Sequence, residues 1–239
     1  MVTMSLAPTT LPAGQRVYAI GDVHGCAARL DALHAQIRDD LAARPVAEPT
    51  LLHLGDYVDR GEDSAGVLAR LLRPWPAAPA PRIVNLMGNH EAMLLAALDG
   101  TDSESVPHWL SNGGAETLAS WGLSSRAAPA EWRTRIPAAQ IDFLRALLRY
   151  HRQGGYVFVH AGLRPGVPMA RQTEDDMLWI REPFLSAKGD LPGVVVHGHT
   201  PERLPTVRLT RIGVDTGAVM GGMLTCAVLE ADRVGFLRA

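Results

Sequence analysis

The sequence predicts an α/β domain, and three observations support this fold class. Short β-branched or aliphatic runs alternate with longer segments of helical periodicity, as expected when each strand leads into a crossover helix. Polar clusters follow directly after several of these runs. The 239 residues, 47% of them hydrophobic and 20% charged, suffice for one globular domain with a large core. We therefore expect a single domain over residues 15–239, after a disordered lead over residues 1–14 that is rich in Thr, Pro and Ala.

The first half of this domain contains three predicted strand and helix units in succession. In each unit a short apolar run precedes a segment whose apolar residues recur at helical spacing. The strands are expected at residues 17–20, 51–54 and 83–87, and the helices at about 26–42, near 63–73 and near 90–98. Residues 74–81 are rich in proline, which lacks a backbone donor, so this stretch predicts a surface connector.

The second half begins with a predicted helical insertion over about residues 101–152. Its tryptophans, Trp109, Trp121 and Trp132, have two open interpretations: a wall or lid over a crevice, or plain core packing on helices. After the insertion the pattern returns to strands, at residues 156–159, 193–196, 209–214, 223–229 and 233–237. The last three follow one another so closely that we expect them to pair as antiparallel neighbours.

The charge and cysteine content exclude several classes of protein. A formal net charge of −2 provides no basic field, so no long nucleic acid is expected as a partner. No apolar stretch is long enough to span a membrane, and the N-terminal segment lacks the features of a secretion signal. Cys26 and Cys226 lack metal-type spacing and fit a reducing compartment. We expect a cytoplasmic protein without a membrane partner, and the oligomeric state stays open.

Five polar motifs come just after predicted strands, where the loops of an α/β sheet form a ligand crevice. Each motif alone has an ordinary explanation, such as a helix cap, a surface ion pair or a buried core histidine. The five in this order at strand ends favour one shared explanation, a centre of two metal ions. The motifs are Gly21-Asp22-Val23-His24-Gly25, Gly55-Asp56-Tyr57-Val58-Asp59-Arg60-Gly61, Gly88-Asn89-His90-Glu91, His160-Ala161-Gly162 and His197-Gly198-His199-Thr200.

Together these motifs resemble the metallophosphoesterase superfamily, in its serine/threonine phosphoprotein phosphatase branch, close to the symmetrical diadenosine tetraphosphatases. The resemblance covers residues 16 to about 230 and implies a calcineurin-like fold, a two-sheet β-sandwich flanked by helices. It also implies two divalent metal ions. Carboxylate, amide and imidazole ligands without thiolate suit Mn²⁺ first, with Fe or Zn²⁺ as alternatives. The implied ligands are Asp22 and His24 for one metal, Asp56 for both, and Asn89, His160 and His199 for the second. His197 has no matching ligand role.

The remaining polar residues of these motifs suit the chemistry of phosphate. Arg60 can hold a phosphoryl oxygen bidentately, and Arg181 resembles the second phosphate-binding arginine of the family. His90, beside Asn89, is expected to give a proton to the leaving group, with Asp59 holding the imidazole in its cationic form. The expected reaction is direct attack on phosphorus by a hydroxide that the two metals share.

The main functional hypothesis is a phosphomonoesterase that acts on phosphoserine or phosphothreonine in proteins. The alternative is a hydrolase of a small nucleotide such as symmetrical diadenosine tetraphosphate, a branch that usually carries Asp where this chain has Glu91. Phosphatases of nucleic-acid ends share the motifs but fit the neutral composition less well. A minor alternative is an inactive binding module. The expected partner is therefore a phosphoprotein or a small phosphorylated substrate.

Overall fold

Two mixed β-sheets pack face to face, and helices cover both outer faces. The structure is a computed structural model that describes residues 2–78, 80–100 and 102–239. This architecture confirms both the α/β class and the two-sheet sandwich. Among the described residues, no helix has the length and apolar character needed to cross a bilayer.

The first sheet carries the three predicted strand and helix units. Its strands β2, β3 and β4 run parallel to one another, because a crossover segment separates each from the next, and the other pairings are antiparallel. In spatial order the strands are β1 (Met4–Leu6), β11 (Arg233–Arg238), β10 (Thr225–Glu230), β2 (Gln15–Ile20), β3 (Glu48–His53) and β4 (Arg82–Asn85).

The second sheet is built from the chain that follows the helical insertion. Its central strands are parallel and its two edge strands are antiparallel to their neighbours. In spatial order they are β5 (Tyr150–Gln153), β6 (Tyr156–Val159), β7 (Val194–His197), β9 (Arg211–Gly213) and β8 (Thr206–Val207).

The helices follow the predicted positions in the first half of the chain and fill the insertion in the second. α1 buries Leu30, Leu33, Ile37 and Leu41, which recur at helical spacing on one face. The helices are α1 (Ala27–Ala43), α2 (Ser64–Leu71), α3 (Asn89–Asp99), α4 (Ser105–Trp109), α5 (Ala115–Ser120), α6 (Pro129–Arg135), α7 (Ala138–Arg145) and α8 (Glu174–Trp179). A kinked turn, Leu110–Gly114, in which Gly113 has a non-helical φ of 103°, joins α4 to α5.

Alternation of side chains along the strands divides the core into layers. In β2, Val17 and Ala19 point between the two sheets, whereas Tyr18 and Ile20 point toward the helices. The layer between the sheets also takes Phe158 from the second sheet. Burial of each such side chain contributes about 1.5–3 kcal/mol. The two sheets therefore hold a fixed relation to each other, which matters because both carry site residues.

The N-terminal segment differs from the prediction. Met4–Leu6 is not a disordered lead but an edge strand that pairs antiparallel with β11, and Leu11 is buried between the sheets. The Thr, Pro and Ala content hid a strand of only three residues, whose pairing partner lies at the far end of the chain. Met1, also part of the predicted lead, lies outside the described residues.

The predicted pairing of the last three strands is also wrong in part. β10 and β11 do pair antiparallel, but β9 belongs to the second sheet, where it lies parallel to β7. The intervening loop, residues 214–224, carries the chain from one sheet to the other. Sequence proximity favoured a hairpin, whereas the core between the sheets determines the pairing.

The insertion and the connector agree with the prediction apart from their boundaries. The helices of the insertion run from Ser105 to Arg145, and Tyr150 already begins β5. The described part of the proline-rich connector contains neither helix nor strand, as expected. Pro79 in the connector and Thr101 at the start of the insertion lie outside the described residues.

Candidate metal centre

The carboxyl ends of strands from both sheets meet around one cavity of about 380 Å³. Loops after β2, β3 and β4 reach it from the first sheet, and loops after β6 and β7 reach it from the second. Asp22, Asp59 and His160 are buried in the same region. The other predicted site residues line the cavity: His24, Asp56, Arg60, Asn89, His90, Arg181 and His199.

Asp56 belongs to two separate groups of candidate ligands. In the first group Asp56 lies with His24 and His90, and in the second with His160 and His199. Within each group the candidate ligand atoms all lie within 4.8 Å of one another. One carboxylate between two sets of imidazoles is the arrangement that a bridging ligand requires.

The second group consists largely of acceptors that face one another. The Asn89 Oδ1 atom is 2.9 Å from His160 Nε2 and 3.0 Å from His199 Nδ1. The His160 Nδ1–H donates to the Leu54 carbonyl at 3.0 Å, which leaves its Nε2 without a proton. That Nε2 is also 3.4 Å from Asp56 Oδ1. The Asn89 Oδ1 and His160 Nε2 atoms therefore face each other with no proton between them, which fits a cation, so the residues present suit a divalent metal ion.

The imidazole of His24 is oriented in the same way. Its Nδ1–H donates to the Val58 carbonyl at 2.8 Å, so its Nε2 carries a lone pair, which lies 3.4 Å from Asp56 Oδ2 and 3.1 Å from Arg60 Nη1. Burial lowers the pKa of His24 to about 4 and the pKa of His199 to about 3. Both rings are therefore neutral near pH 7, which is the form that binds metals.

Asp56 is the charged centre of this arrangement. Burial by itself raises the pKa of Asp56, but the surrounding histidines, His160 foremost, outweigh burial and hold that pKa below its usual range. The carboxylate is therefore ionised, as a ligand to two cations must be.

Asp22 is adjacent to the two groups but belongs to neither. Both of its oxygens accept the backbone N–H of His199, at 3.0 and 3.2 Å. Burial and then the negative charge of Asp215 raise the pKa of Asp22, and burial raises the pKa of Asp215 to about 6. Of the five predicted ligands that are aspartate or histidine, Asp22 is the one that these two groups of described residues leave out, and His90 lies in the first group instead.

The loop after β3 is fixed from below by Glu91. Its carboxylate accepts the backbone N–H groups of Asp56 at 2.8 Å, Tyr57 at 2.7 Å, Val58 at 3.2 Å and Gly88 at 2.9 Å. The loop needs this support because Asp56 has a φ of 53°, in the left-handed region that disfavours residues with a Cβ. Glu91 thus belongs to the framework of the site, a role that its place in the Asn-His-Glu motif did not reveal.

His90 and Asp59 form a buried pair beside Asp56. The His90 Nδ1–H donates to Asp59 Oδ2 at 2.7 Å. Burial lowers the pKa of His90, but the charge of Asp56 and the hydrogen bond to Asp59 outweigh it, so the net pKa lies above the ordinary value. A cationic imidazole near pH 7 is what a proton donor to a leaving group requires.

Asp59 is itself held by residues that the sequence did not single out for this task. The Trp109 indole N–H lies 3.0 Å from both Asp59 oxygens, and the Thr117 hydroxyl donates to Oδ1 at 2.7 Å. Trp109 and Trp132 are fully buried, with ring centroids 5.8 Å apart, so the core-packing interpretation holds for these two residues. No motif marked Trp109 or Thr117, because their partner lies 50 and 58 residues away in the chain.

Two arginines complete the cavity. Arg60 and Arg181 are both exposed at its margin, and Arg60 Nη1 lies 3.1 Å from His24 Nε2. Guanidinium groups in such positions can grip phosphate oxygens. His197 is buried outside the cavity, with its Nε2 atom 3.3 Å from Arg211 Nη1. Asp215, in contrast, lines the cavity, and its position directly after a strand was the signal that could have marked it.

A two-sheet sandwich with this set of oxygen and imidazole donors defines a metal-dependent phosphoesterase. The chain belongs to the calcineurin-like phosphoesterase family, whose model matches residues 15–226. The divalent metal ions of this family are consistent with the two ligand groups described above.

Three similar proteins fall within the same group. Serine/threonine-protein phosphatase 1 of Salmonella typhimurium is 31% identical over 231 residues, covering 90% of this chain and 93% of the relative. A symmetrical bis(5'-nucleosyl)-tetraphosphatase of Methylococcus capsulatus is 31% identical over 186 residues, which cover 76% of this chain but only 51% of the relative. The crystal structure of a candidate diadenosine tetraphosphatase is 26% identical, with a TM-score of 0.68 over 98% of both chains.

Proposed function

We propose that this chain is a phosphomonoesterase with two metal ions, and that its substrates are phosphoserine and phosphothreonine side chains of proteins. The position of Asp56 carries the proposal, because its carboxylate belongs to both groups of candidate ligands. When bound, two divalent cations polarise phosphate oxygens and make water nucleophilic at neutral pH. We propose Mn²⁺ as the native metal, since the donors are oxygens and imidazoles without thiolate.

The proposed division of roles follows the contacts of each side chain. Asp56 bridges, and Asp22 belongs to the ligands because its buried carboxyl, next to Asp215, needs a compensating positive charge. His24 and His160 each present an unprotonated Nε2 fixed by a backbone carbonyl. The full proposed ligand set is Asp22, His24, Asp56, Asn89, His160 and His199.

Four further residues act on the phosphate in this proposal. Arg60 and Arg181 neutralise the equatorial oxygens of phosphorus, where charge develops during in-line displacement. His90 donates its proton to the leaving oxygen. Asp59 keeps that imidazole charged and correctly turned, through the 2.7 Å hydrogen bond to Nδ1. The pair is buried, which strengthens the bond between its members.

The substrate assignment rests on how much of this chain and of each relative the match covers. The Salmonella typhimurium phosphatase matches this chain over nearly the full length of both proteins, whereas the chain spans about half of the Methylococcus capsulatus tetraphosphatase. The second candidate is hydrolysis of a symmetrical dinucleoside tetraphosphate, favoured by the 98% mutual coverage with the candidate diadenosine tetraphosphatase. We propose the cytoplasm as the compartment, because Cys26 and Cys226 are both free thiols.

A parallel assay separates these functions. The metal-stripped protein is reloaded with Mn²⁺, and kcat/KM is compared for phosphoserine peptides, phosphothreonine peptides and diadenosine tetraphosphate, with EDTA-treated protein as the control. The highest value is expected on a phosphopeptide. A dominant rate on the dinucleotide would transfer the assignment to the second candidate, and a protein inactive on all substrates, p-nitrophenyl phosphate included, would be a binding module.

A further inference from the structure

The helical insertion contacts the phosphate-binding loop directly. Asp59 and Arg60 have φ values of 72° and 69°, so two successive residues with side chains occupy the left-handed region. Each such residue costs about 1–2 kcal/mol in isolation, and the surrounding structure has to stabilise it. The contacts that stabilise Asp59 and Arg60 come from the bracing segment, which we define as residues 105–120: α4, the kinked turn and α5.

Within the kinked turn, Gly113 contacts Arg60. The Gly113 carbonyl accepts the backbone N–H of Arg60 at 3.2 Å. Gly113 has a φ of 103°, and a Cβ added there would lie 2.7 Å from the Arg60 backbone N and 2.8 Å from its Cγ. Both the backbone angle and the close approach therefore require glycine.

The neighbouring residue, Gly114, leaves space for the Trp109 ring, which contacts Asp59. A Cβ at Gly114 would lie 2.5 Å from the Trp109 ring, whose N–H binds the Asp59 carboxylate. The same turn brings Asn112 to the wall of the cavity, beside Arg60.

We propose that Gly113 is a positioning residue for Arg60. The kinked turn sets the direction of the guanidinium and thereby the affinity of the site for a phosphoryl group. This inference rests on the proposed function, in which Arg60 grips the phosphate. The close contact at Arg60 N and Cγ carries it, because a displaced Cγ moves the whole guanidinium. The insertion thus acts on the substrate through the loop below it, without covering the cavity.

The test compares two glycines of the same insertion. Gly122 also has a positive φ, 69°, but a Cβ there would meet nothing within 4 Å. Gly113→Ala and Gly122→Ala therefore both place a Cβ at a positive φ, and only the first pushes on Arg60. KM for p-nitrophenyl phosphate and the Kd of inorganic phosphate for the Mn²⁺-loaded protein, by calorimetry, are measured for both. We expect Gly113→Ala to raise both constants about tenfold, as for one charge-assisted hydrogen bond, with a smaller change in kcat, and Gly122→Ala to leave them unchanged.

A double-mutant cycle separates positioning from stability. On an Arg60→Ala background, Gly113→Ala should leave the phosphate Kd unchanged, although it still lowers Tm. Unchanged KM and Kd in Gly113→Ala, or an equal loss with and without the Arg60 side chain, would overturn the proposal.

Three further outcomes also have a defined interpretation. If Gly113→Ala does not fold, Gly113→Asn tolerates the left-handed angle better and keeps the clash with Arg60, so the same rise in Kd is expected. If both variants fail to fold while Gly122→Ala folds, the turn serves stability and the proposal is wrong. If the wild-type chain hydrolyses no phosphate ester, the proposed function fails, and the calorimetric comparison still decides the role of Gly113.

Discussion

Asp56 determines how much positive charge this site can hold. It is 2% exposed and lies among four imidazoles, and these neighbours, His160 first, hold its pKa below the usual range despite burial. The sequence predicted this residue as the shared ligand through its family resemblance. Its shared position could not be derived from spacing, because the two ligand groups come from strands of different sheets.

Replacement of Asp56 by Asn should abolish both metal binding and activity, since a neutral amide does not neutralise two dications. Metal content is measured by elemental analysis after dialysis against limiting Mn²⁺. Asp142→Asn is the matched control, because it makes the same change at an exposed position of α7 and should retain two metals per chain. Two retained metals in Asp56→Asn would rule out the bridging role.

Replacement of His90 by Asn should lower kcat on alkyl phosphates by about 10²–10⁴-fold, while metal content stays unchanged. Hydrolysis of p-nitrophenyl phosphate should fall less, because its leaving group needs no proton. Asp59→Asn should move the alkaline limb of the pH profile to lower pH. The reason is that a neutral partner no longer raises the pKa of His90, and activity is lost as pH rises through that pKa.

His90 is also close enough to Asp56 to count as a ligand by distance, and elemental analysis separates the two roles. If His90→Asn expels a metal ion, the imidazole is a ligand and the proton donor has to be sought elsewhere.

At the scale of elements, α3 supports the site as well as supplying residues to it. Its first turn carries Asn89 and His90 on the cavity and Glu91 beneath the loop after β3. Glu91 satisfies four backbone N–H groups, and burial followed by the charge of Asp56 raises the pKa of Glu91 to about 7. Through Glu91, α3 therefore links the conformation of the loop after β3 to that of Gly88, just before its own first turn.

Replacement of Glu91 by Gln should destabilise the protein by about 1–3 kcal/mol, because an amide NH₂ then faces buried N–H donors that lose their acceptor. Urea unfolding in EDTA measures the change without a contribution from metal. Glu116→Gln in α5, where the side chain is exposed, should be neutral. An unchanged free energy of unfolding in Glu91→Gln would mean that the loop keeps its conformation without this carboxylate.

Elements with a long periodic pattern of apolar residues could be predicted from the sequence. Very short strands, and strands whose partner is distant in the chain, could not. The periodicity of Leu30, Leu33 and Ile37 defined α1 within one residue of its ends. β1, β5 and β8 have only two to four residues each, too few for an alternating pattern. The sheet to which β9 belongs depends on contacts with β7, which no local signal contains.

At the scale of the whole molecule, the metal centre joins the two sheets. Asp22, His24 and Asp56 come from loops of the first sheet, and His160 and His199 come from loops of the second. A cation bound to both sets adds its binding free energy to the stability of the sandwich. The sequence marked these candidate ligands because each lies beside a strand end, whereas their supports in the insertion depended on the complete fold.

Two histidines remote from the metal centre make stability depend on pH. His34 and His53 lie with Nε2 atoms 3.0 Å apart, and burial lowers their pKa values to about 4 and about 3. In the unfolded chain a histidine binds a proton below about pH 6.5, whereas these two stay neutral in the folded state. The unfolded state gains protons first, so stability falls as pH decreases from about 6.5 toward 4.

The metal-free protein should lose about 1.4 kcal/mol of stability for each of these two histidines between about pH 7.5 and about pH 5.5. Urea titrations in EDTA at both pH values measure the loss. His34→Gln should reduce the difference between them, and His108→Gln, a change at an exposed position, should not. Equal pH dependence in His34→Gln and the wild type would show that the buried pair does not control acid stability.

Several residues of the site have backbone angles in the left-handed region, and this strain sets activity against heat stability. His24, Asp56, Asp59, Arg60 and His199 all have positive φ, and glycine would relieve the strain at every one of these positions. A library selected only for heat resistance would therefore drift toward glycine at the residues that are proposed to bind metal and phosphate. Directed evolution of this protein has to select for turnover at every round, since the variants that best survive heating would include those that can no longer act.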